Sequence, residues 1–223
     1  MCEFEVFVSK EDFKFNCAHF IAYKGFRERL HGHNYRVSVR VTGSDYVNSD
    51  GYVLDFGDIK KVARKLCTSL NEYFICPMKS TDIEISEVDG QVCLLCEDGS
   101  KFSFPRTDCA MLPIVHSSAE ELAHWLWCSI LRFLFCSDHL LWLTTHSSNY
   151  CSLLAKSRNL GLAQLDKRGL KNLEVSVAEA AQQLATFRGP IPDSEEALLE
   201  IENRPVTRRP SPCCSANEDW CHL

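Results

Sequence analysis

The stretch Leu30-His31-Gly32-His33-Asn34-Tyr35 constrains this chain more than any other. A β-strand sends alternate side chains to the same face. His31 and His33 therefore project together, and Gly32 between them adds no bulk. Beyond them Tyr35, Val37, Val39 and Val41 keep the same parity, while Arg36, Ser38, Arg40 and Thr42 take the other. This period of two marks a half-buried strand over residues 30–42. Two imidazoles at the head of its apolar row call for a partner, and a metal ion is the natural one.

A third histidine has the same character. Residues 4–21 read as a strand, with Phe13, Phe15, Cys17 and His19 on one face. The intervening residues 22–29 form a polar loop. If the two strands pair antiparallel, His19, His31 and His33 meet near one end of a sheet. Neutral imidazoles suit zinc, and three protein ligands leave one position for water or substrate. A lone histidine on an apolar face is more often a hydrogen-bonded core residue. The i, i+2 pair with a third histidine on a neighbouring strand shifts the balance toward metal.

Composition excludes several classes. The net charge is -6 with no basic stripe, so no nucleic-acid partner is expected. The longest apolar run, residues 122–135, is too short to span a bilayer and contains Arg132, so no membrane partner is expected. Met1-Cys2-Glu3-Phe4-Glu5 lacks a basic n-region, and the expected location is the cytoplasm. The 13 cysteines are then free thiols, many of them small buried hydrophobes. Cys93 and Cys96 form a lone CxxC without a second pair, which is weak support for a structural zinc site.

Elsewhere the pattern alternates between strands and helices. Asp55 caps a helix over residues 55–70, whose Lys60, Lys61, Arg64 and Lys65 make a solvated basic face. Residues 80–105 read as a small antiparallel excursion around the Asp89-Gly90 turn. Ser118 as N-cap, with Glu121 three residues on, opens a second helix. Its nearly all-apolar residues 122–135 should be buried on more than one side, between a sheet and a neighbouring subunit. Residues 136–169 show no clean period and stand as an atypical insert. Residues 172–179 alternate again and end on Glu179, a carboxylate on the apolar row. It either frays into water or sits in a pocket of hydrogen-bond donors. The domain thus spans residues 1–188, and residues 189–223, rich in Pro and Arg, are expected to be a poorly ordered tail.

Three motifs together resemble a known family. They are Phe15-Asn16-Cys17-Ala18-His19, Leu30-His31-Gly32-His33-Asn34-Tyr35-Arg36-Val37 and Gly51-Tyr52-Val53-Leu54-Asp55-Phe56. With Ser117-Ser118-Ala119-Glu120, and Val177-Ala178-Glu179 followed by Phe187, they look like the 6-pyruvoyl- and 6-carboxy-tetrahydropterin synthases. The resemblance covers about residues 4–135 and 170–188. It implies an α+β tunnelling fold: an antiparallel four-stranded sheet with two helices on one face, closed into a barrel by trimers that pair into hexamers. It implies zinc held by His19, His31 and His33, and a pterin ring anchored by Glu179, with Ser118 as a further polar contact. The substrate would be 7,8-dihydroneopterin triphosphate, and the enzyme a carbon–oxygen lyase eliminating triphosphate.

The resemblance breaks in the loop before His31. Synthases of the 6-pyruvoyl type place a general-base cysteine there, and this loop reads Gly25-Phe26-Arg27-Glu28-Arg29. The family's Asp-His pair after the first helix matches Asn71 and Glu72. A branch with Glu in place of the Cys is associated with cleaving the substrate's side chain to give 6-hydroxymethyl-dihydropterin, and Glu28 looks like that residue. Lys24, Arg27 and Arg29 are candidate contacts for a triphosphate. Three readings stay open: triphosphate elimination, Glu28-dependent side-chain cleavage, and a non-catalytic zinc- or pterin-binding oligomer in which Glu28 is a solvated loop charge.

Overall fold

A computed structural model describes residues 2–135 and 168–206. Two long strands, β1 (Glu5–His19) and β4 (His31–Thr42), form the spine. They run antiparallel, joined by a small hairpin of β2 (Ala22–Tyr23) and β3 (Phe26–Arg27). β10 (Asn172–Ala180) pairs antiparallel with β4, and β11 (Gln183–Pro190) with β10. These four are the antiparallel strands expected of the α+β fold. Their inward rows include Phe13, Phe15, Tyr35, Val37, Val39 and Val175, all essentially inaccessible.

Two helices cover that apolar face. α1 (Phe56–Leu70) starts at Asp55, whose carboxylate accepts the Gly57 N–H at 2.7 Å. α2 (Ala119–Phe135) starts at Ser118, whose Oγ accepts the Glu121 N–H at 3.3 Å. Glu121 reaches further back than a simple capping box would. Its carboxylate accepts from the Val115 and His116 backbone N–H groups at 2.7 and 3.0 Å. No helix among the described residues is long and apolar enough to cross a membrane.

The sheet is wider than the four expected strands. β5 (Tyr73–Pro77) lies parallel to β1, and β9 (Cys109–Leu112) parallel to β5, giving the order β11-β10-β4-β1-β5-β9. Between β5 and β9 the chain makes a separate antiparallel sheet of β6 (Ile83–Val88), β7 (Gln91–Cys96) and β8 (Lys101–Pro105). Its inner face closes a second apolar cluster with Phe20, Ala22, Phe74 and Met111.

The C-terminal region requires a correction. Residues 189–223 were expected to be poorly ordered, yet β11 continues to Pro190 and a helix, α3 (Glu195–Asn203), follows. Ser194 caps it by accepting the Ala197 N–H at 3.1 Å. Leu198 is fully buried in the main core, and Glu202 forms a two-pronged ion pair with Arg132 of α2. The apolar α2 is thus buried on more than one side, by the sheet and by α3. The apolar run Leu140-Leu141-Trp142-Leu143 and almost all of the insert at 136–169 lie outside the described residues. The same holds for residues 207–223.

If α3 belongs to the core, truncating its buried anchor is costly. Leu198→Ala should destabilise the protein by about 2–4 kcal/mol, the usual range for a cavity of that size. Denaturant midpoints of the two forms measure it, and equal midpoints would show that α3 does not pack as described.

Candidate metal centre

The pairing register of β1 with β4 assembles the site. His19 lies opposite His31, and Cys17 opposite His33. His33 follows His31 by two residues on the same face. The ring centroids of His19 stand 4.6 Å from His31 and 5.2 Å from His33, and those of His31 and His33 are 4.9 Å apart. One candidate ligand atom from each ring lies within 4.8 Å of the others. The structure therefore brings together all three histidines singled out in the sequence.

Hydrogen bonds fix two of the rings. A carbonyl only accepts, so the 2.9 Å contact from His19 Nδ1 to the Ser117 carbonyl places the proton on Nδ1. The same logic holds for His31, whose Nδ1 donates to the Arg29 carbonyl at 2.7 Å. Each ring then has its Nε2 lone pair available, the pattern of histidines whose second nitrogen orients them for a metal. Burial, aided by the His31 and His33 rings, pushes the His19 pKa below its ordinary value and keeps that imidazole neutral.

Tyr35 and Glu179 complete the inner wall. The Tyr35 hydroxyl donates to Glu179 Oε1 at 3.1 Å and also lies 3.3 Å from His19 Nε2. It has one proton. Given to Glu179, that proton leaves the lone pair of a buried imidazole nitrogen without a donor. A cation shared with the other two rings would satisfy it, and a donor set of three imidazoles fits zinc. Burial and the adjacent Glu179 charge push the Tyr35 pKa far up, so the phenol stays protonated. Glu179 sits where the β10–β11 register shifts between Ala178 and Ala180, a bulge that re-aims its side chain. Of its two expected fates, the structure shows the hydrogen-bonded one.

Access is graded across the three histidines. His19 is buried, His33 half-buried and His31 exposed. A metal held here would be shielded on the His19 side and approachable on the other, as a site with an open ligand position requires.

The remaining candidates fall in different places. Glu28 Oε2 accepts the Ile21 N–H at 3.0 Å, two residues beyond His19. The Ser118 hydroxyl caps α2, whereas its neighbour Ser117 is fully buried and touches His19 through its carbonyl. Ser117 Oγ also donates to the Phe20 carbonyl at 3.0 Å. Arg27, grouped with Lys24 and Arg29 as a phosphate contact, is instead occupied by Asp98 at 2.7 Å. Asn71 and Glu72 tie the end of α1 to Asn16, whose backbone N–H donates to Asn71 Oδ1 and whose carbonyl accepts from the Glu72 N–H. Tyr35 and Ser117 were not singled out in the sequence. Tyr35 shares the parity of the histidines, which is a readable signal; Ser117 carries none beyond adjacency to the cap.

The sequence profile of the family described as 6-pyruvoyl tetrahydropterin synthase matches residues 8–190. The chain belongs to this family. Among solved structures, 6-pyruvoyl tetrahydropterin synthase from Plasmodium vivax is 38% identical, with a TM-score of 0.69, covering 86% of this chain and all of that one. The Plasmodium falciparum synthase is 37% identical at the same TM-score, covering 85% of this chain and 99% of that one. A further Plasmodium vivax structure, 37% identical over 86% of this chain, is described as a catalytic-residue variant with glutamate replaced by alanine. A Methanocaldococcus jannaschii protein provisionally named 6-carboxy-5,6,7,8-tetrahydropterin synthase is 29% identical over 110 residues. That match spans 49% of this chain and 66% of the relative's own length.

Burial of two histidines gives the metal-free fold a signed pH dependence. His19 and His124 are both held below their ordinary 6.5, chiefly by burial. As pH falls through 6.5 the unfolded chain takes up protons that the folded chain refuses, so stability declines until the lowered values are reached. Glu121, pushed up from 4.5 by burial, acts in the opposite sense nearer its own range. The denaturant midpoint of metal-stripped protein should therefore fall between roughly pH 7.5 and 5.5. A flat or rising midpoint would contradict the burial of these imidazoles.

Proposed function

We propose that this protein is a zinc-dependent enzyme acting on 7,8-dihydroneopterin triphosphate, with Glu28 as general base. The reaction it supports best is cleavage of the substrate's side chain to 6-hydroxymethyl-dihydropterin. The observation that carries this reading is the Glu28 carboxylate, anchored by the Ile21 N–H in the loop that leads into His31. No cysteine lies between Cys17 and Cys67, and burial pushes the Cys17 thiol up to about 12. Similarity to a Plasmodium vivax synthase whose catalytic residue is a glutamate supports the same assignment.

His19, His31 and His33 would hold the zinc ion. When bound there, zinc would supply Lewis acidity to the substrate's side-chain hydroxyls and so lower their pKa. Glu28 then takes the proton of the hydroxyl on the second side-chain carbon. The bond between the first and second carbons breaks, its electron pair moving toward the ring-side carbon, and that oxygen becomes an aldehyde. Glu28 returns the proton to the ring-side carbon. Glu179 accepts hydrogen bonds from the pterin amide N–H and amino group, held in place by the Tyr35 hydroxyl. Triphosphate elimination would instead ask Glu28 to remove a carbon-bound proton. A carboxylate is better matched to an acidified O–H, and this favours cleavage.

The protein is also read as a homo-oligomer, a trimer or hexamer. Among the described residues β11 ends the sheet with one unpaired edge and leaves Leu184 61% exposed, and long bare edges are normally covered.

Zinc-loaded protein given 7,8-dihydroneopterin triphosphate should yield the 6-hydroxymethyl product. Glu28→Gln should lower kcat by about 100-fold or more, the usual range for loss of a general base. Release of triphosphate with a 6-pyruvoyl product would replace cleavage by elimination. No turnover would leave the non-catalytic oligomer.

A further inference from the structure

The loop that carries Glu28 does not stand alone. Its β2–β3 hairpin turns at Gly25, where φ is +81°, and leans on the separate β6–β8 sheet. At that turn the Gly25 N–H donates to Glu97 Oε2 at 2.7 Å. Arg27 makes three contacts. Its Nε donates to Asp98 Oδ2 at 2.7 Å, its Nη1 to the backbone carbonyl of Glu28 at 2.8 Å, and its guanidinium lies 5.6 Å from the centroid of Phe102. Asp98 is itself held in the β7–β8 turn, accepting the Ser100 N–H at 2.9 Å.

The contacts form a continuous line from the β7–β8 turn through Arg27 to the backbone of Glu28. On its other side Glu28 is gripped by Ile21. The Ile21 N–H donates to its carboxylate at 3.0 Å, and its own N–H donates to the Ile21 carbonyl at 2.9 Å. The packing agrees with the polar contacts. Phe20, next to His19, stacks on Phe102 of β8 with centroids 4.8 Å apart.

We propose that Asp98 and Arg27 are positioning residues, through which the inserted β6–β8 sheet sets the location of Glu28 relative to the three histidines. This rests on the assignment of Glu28 as general base. An exposed ion pair by itself contributes little. This one differs because Arg27 is fixed at three points and one of its partners is the backbone of the reacting residue. Small displacements of such a residue cost catalysis disproportionately.

The test is a double-mutant cycle on the full-length, zinc-loaded protein with 7,8-dihydroneopterin triphosphate. Asp98→Ala should lower kcat by about 10-fold, with KM and zinc content nearly unchanged. Asp98→Glu should restore most of the loss. In a Glu28→Gln background, Asp98→Ala should have no further effect, because its influence passes through Glu28. Amide hydrogen exchange reads the brace without chemistry: Asp98→Ala should speed exchange at Ile21 and Glu28 by about 10-fold. Full activity of Asp98→Ala, or an equal loss with and without Glu28, would overturn the proposal. So would unchanged exchange at the two amides. A fully active Glu28→Gln protein would instead overturn the base assignment, and with it the catalytic purpose of the brace, while the exchange data would still show whether the brace exists.

Discussion

One backbone register determines the rest: β1 against β4, with His19 opposite His31. Because the side-chain period of a strand is two, a slip of β4 by one residue would send His31 and His33 to the wrong face. It would also expel Tyr35, Val37 and Val39 from the core, so apolar burial along the strand enforces the alignment of the imidazoles. Gly32 belongs to the same constraint. A Cβ there would come 2.9 Å from the Cys17 carbonyl oxygen, so the residue between the two histidines has to be glycine for the strands to approach.

Around this register, other elements contribute one contact each. The segment entering α2 supplies the Ser117 carbonyl that orients His19. The Glu28 loop supplies the Arg29 carbonyl that orients His31. A bulge in β10 supplies Glu179, which accepts a hydrogen bond from the Tyr35 hydroxyl. None of these groups is needed to build the sheet, and together they orient two of the three neighbouring histidines, His19 and His31. The site is thus a consequence of the sheet for its ligands and of the loops for its orientation.

This division explains what was legible in the sequence. Period-two alternation is strict, so the strands, the row shared by His19, His31 and His33, and the cap residues Asp55 and Ser118 could all be read. β5 and β9 could not. They are short parallel strands buried on both faces, and their runs show no alternation. α3 was obscured by its charged composition and by prolines on either side. What orders it is the buried Leu198 and an ion pair with Arg132, 70 residues away in sequence. Ser117 was missed because two serines stand side by side and the capping pattern accounts for only one. Tyr35 was read as core, correctly, but its hydroxyl works on the other side of that core. The brace through Arg27 and Asp98 joins residues 71 positions apart and leaves no local signature.

The three imidazoles of His19, His31 and His33 are proposed to form a zinc site. Metal analysis of the protein purified without chelator tests it most directly. Roughly one zinc per chain is expected, lost when His19 is replaced by alanine while the fold persists. A folded protein that retains no zinc even after incubation with the ion, or that retains it equally without His19, would contradict the claim.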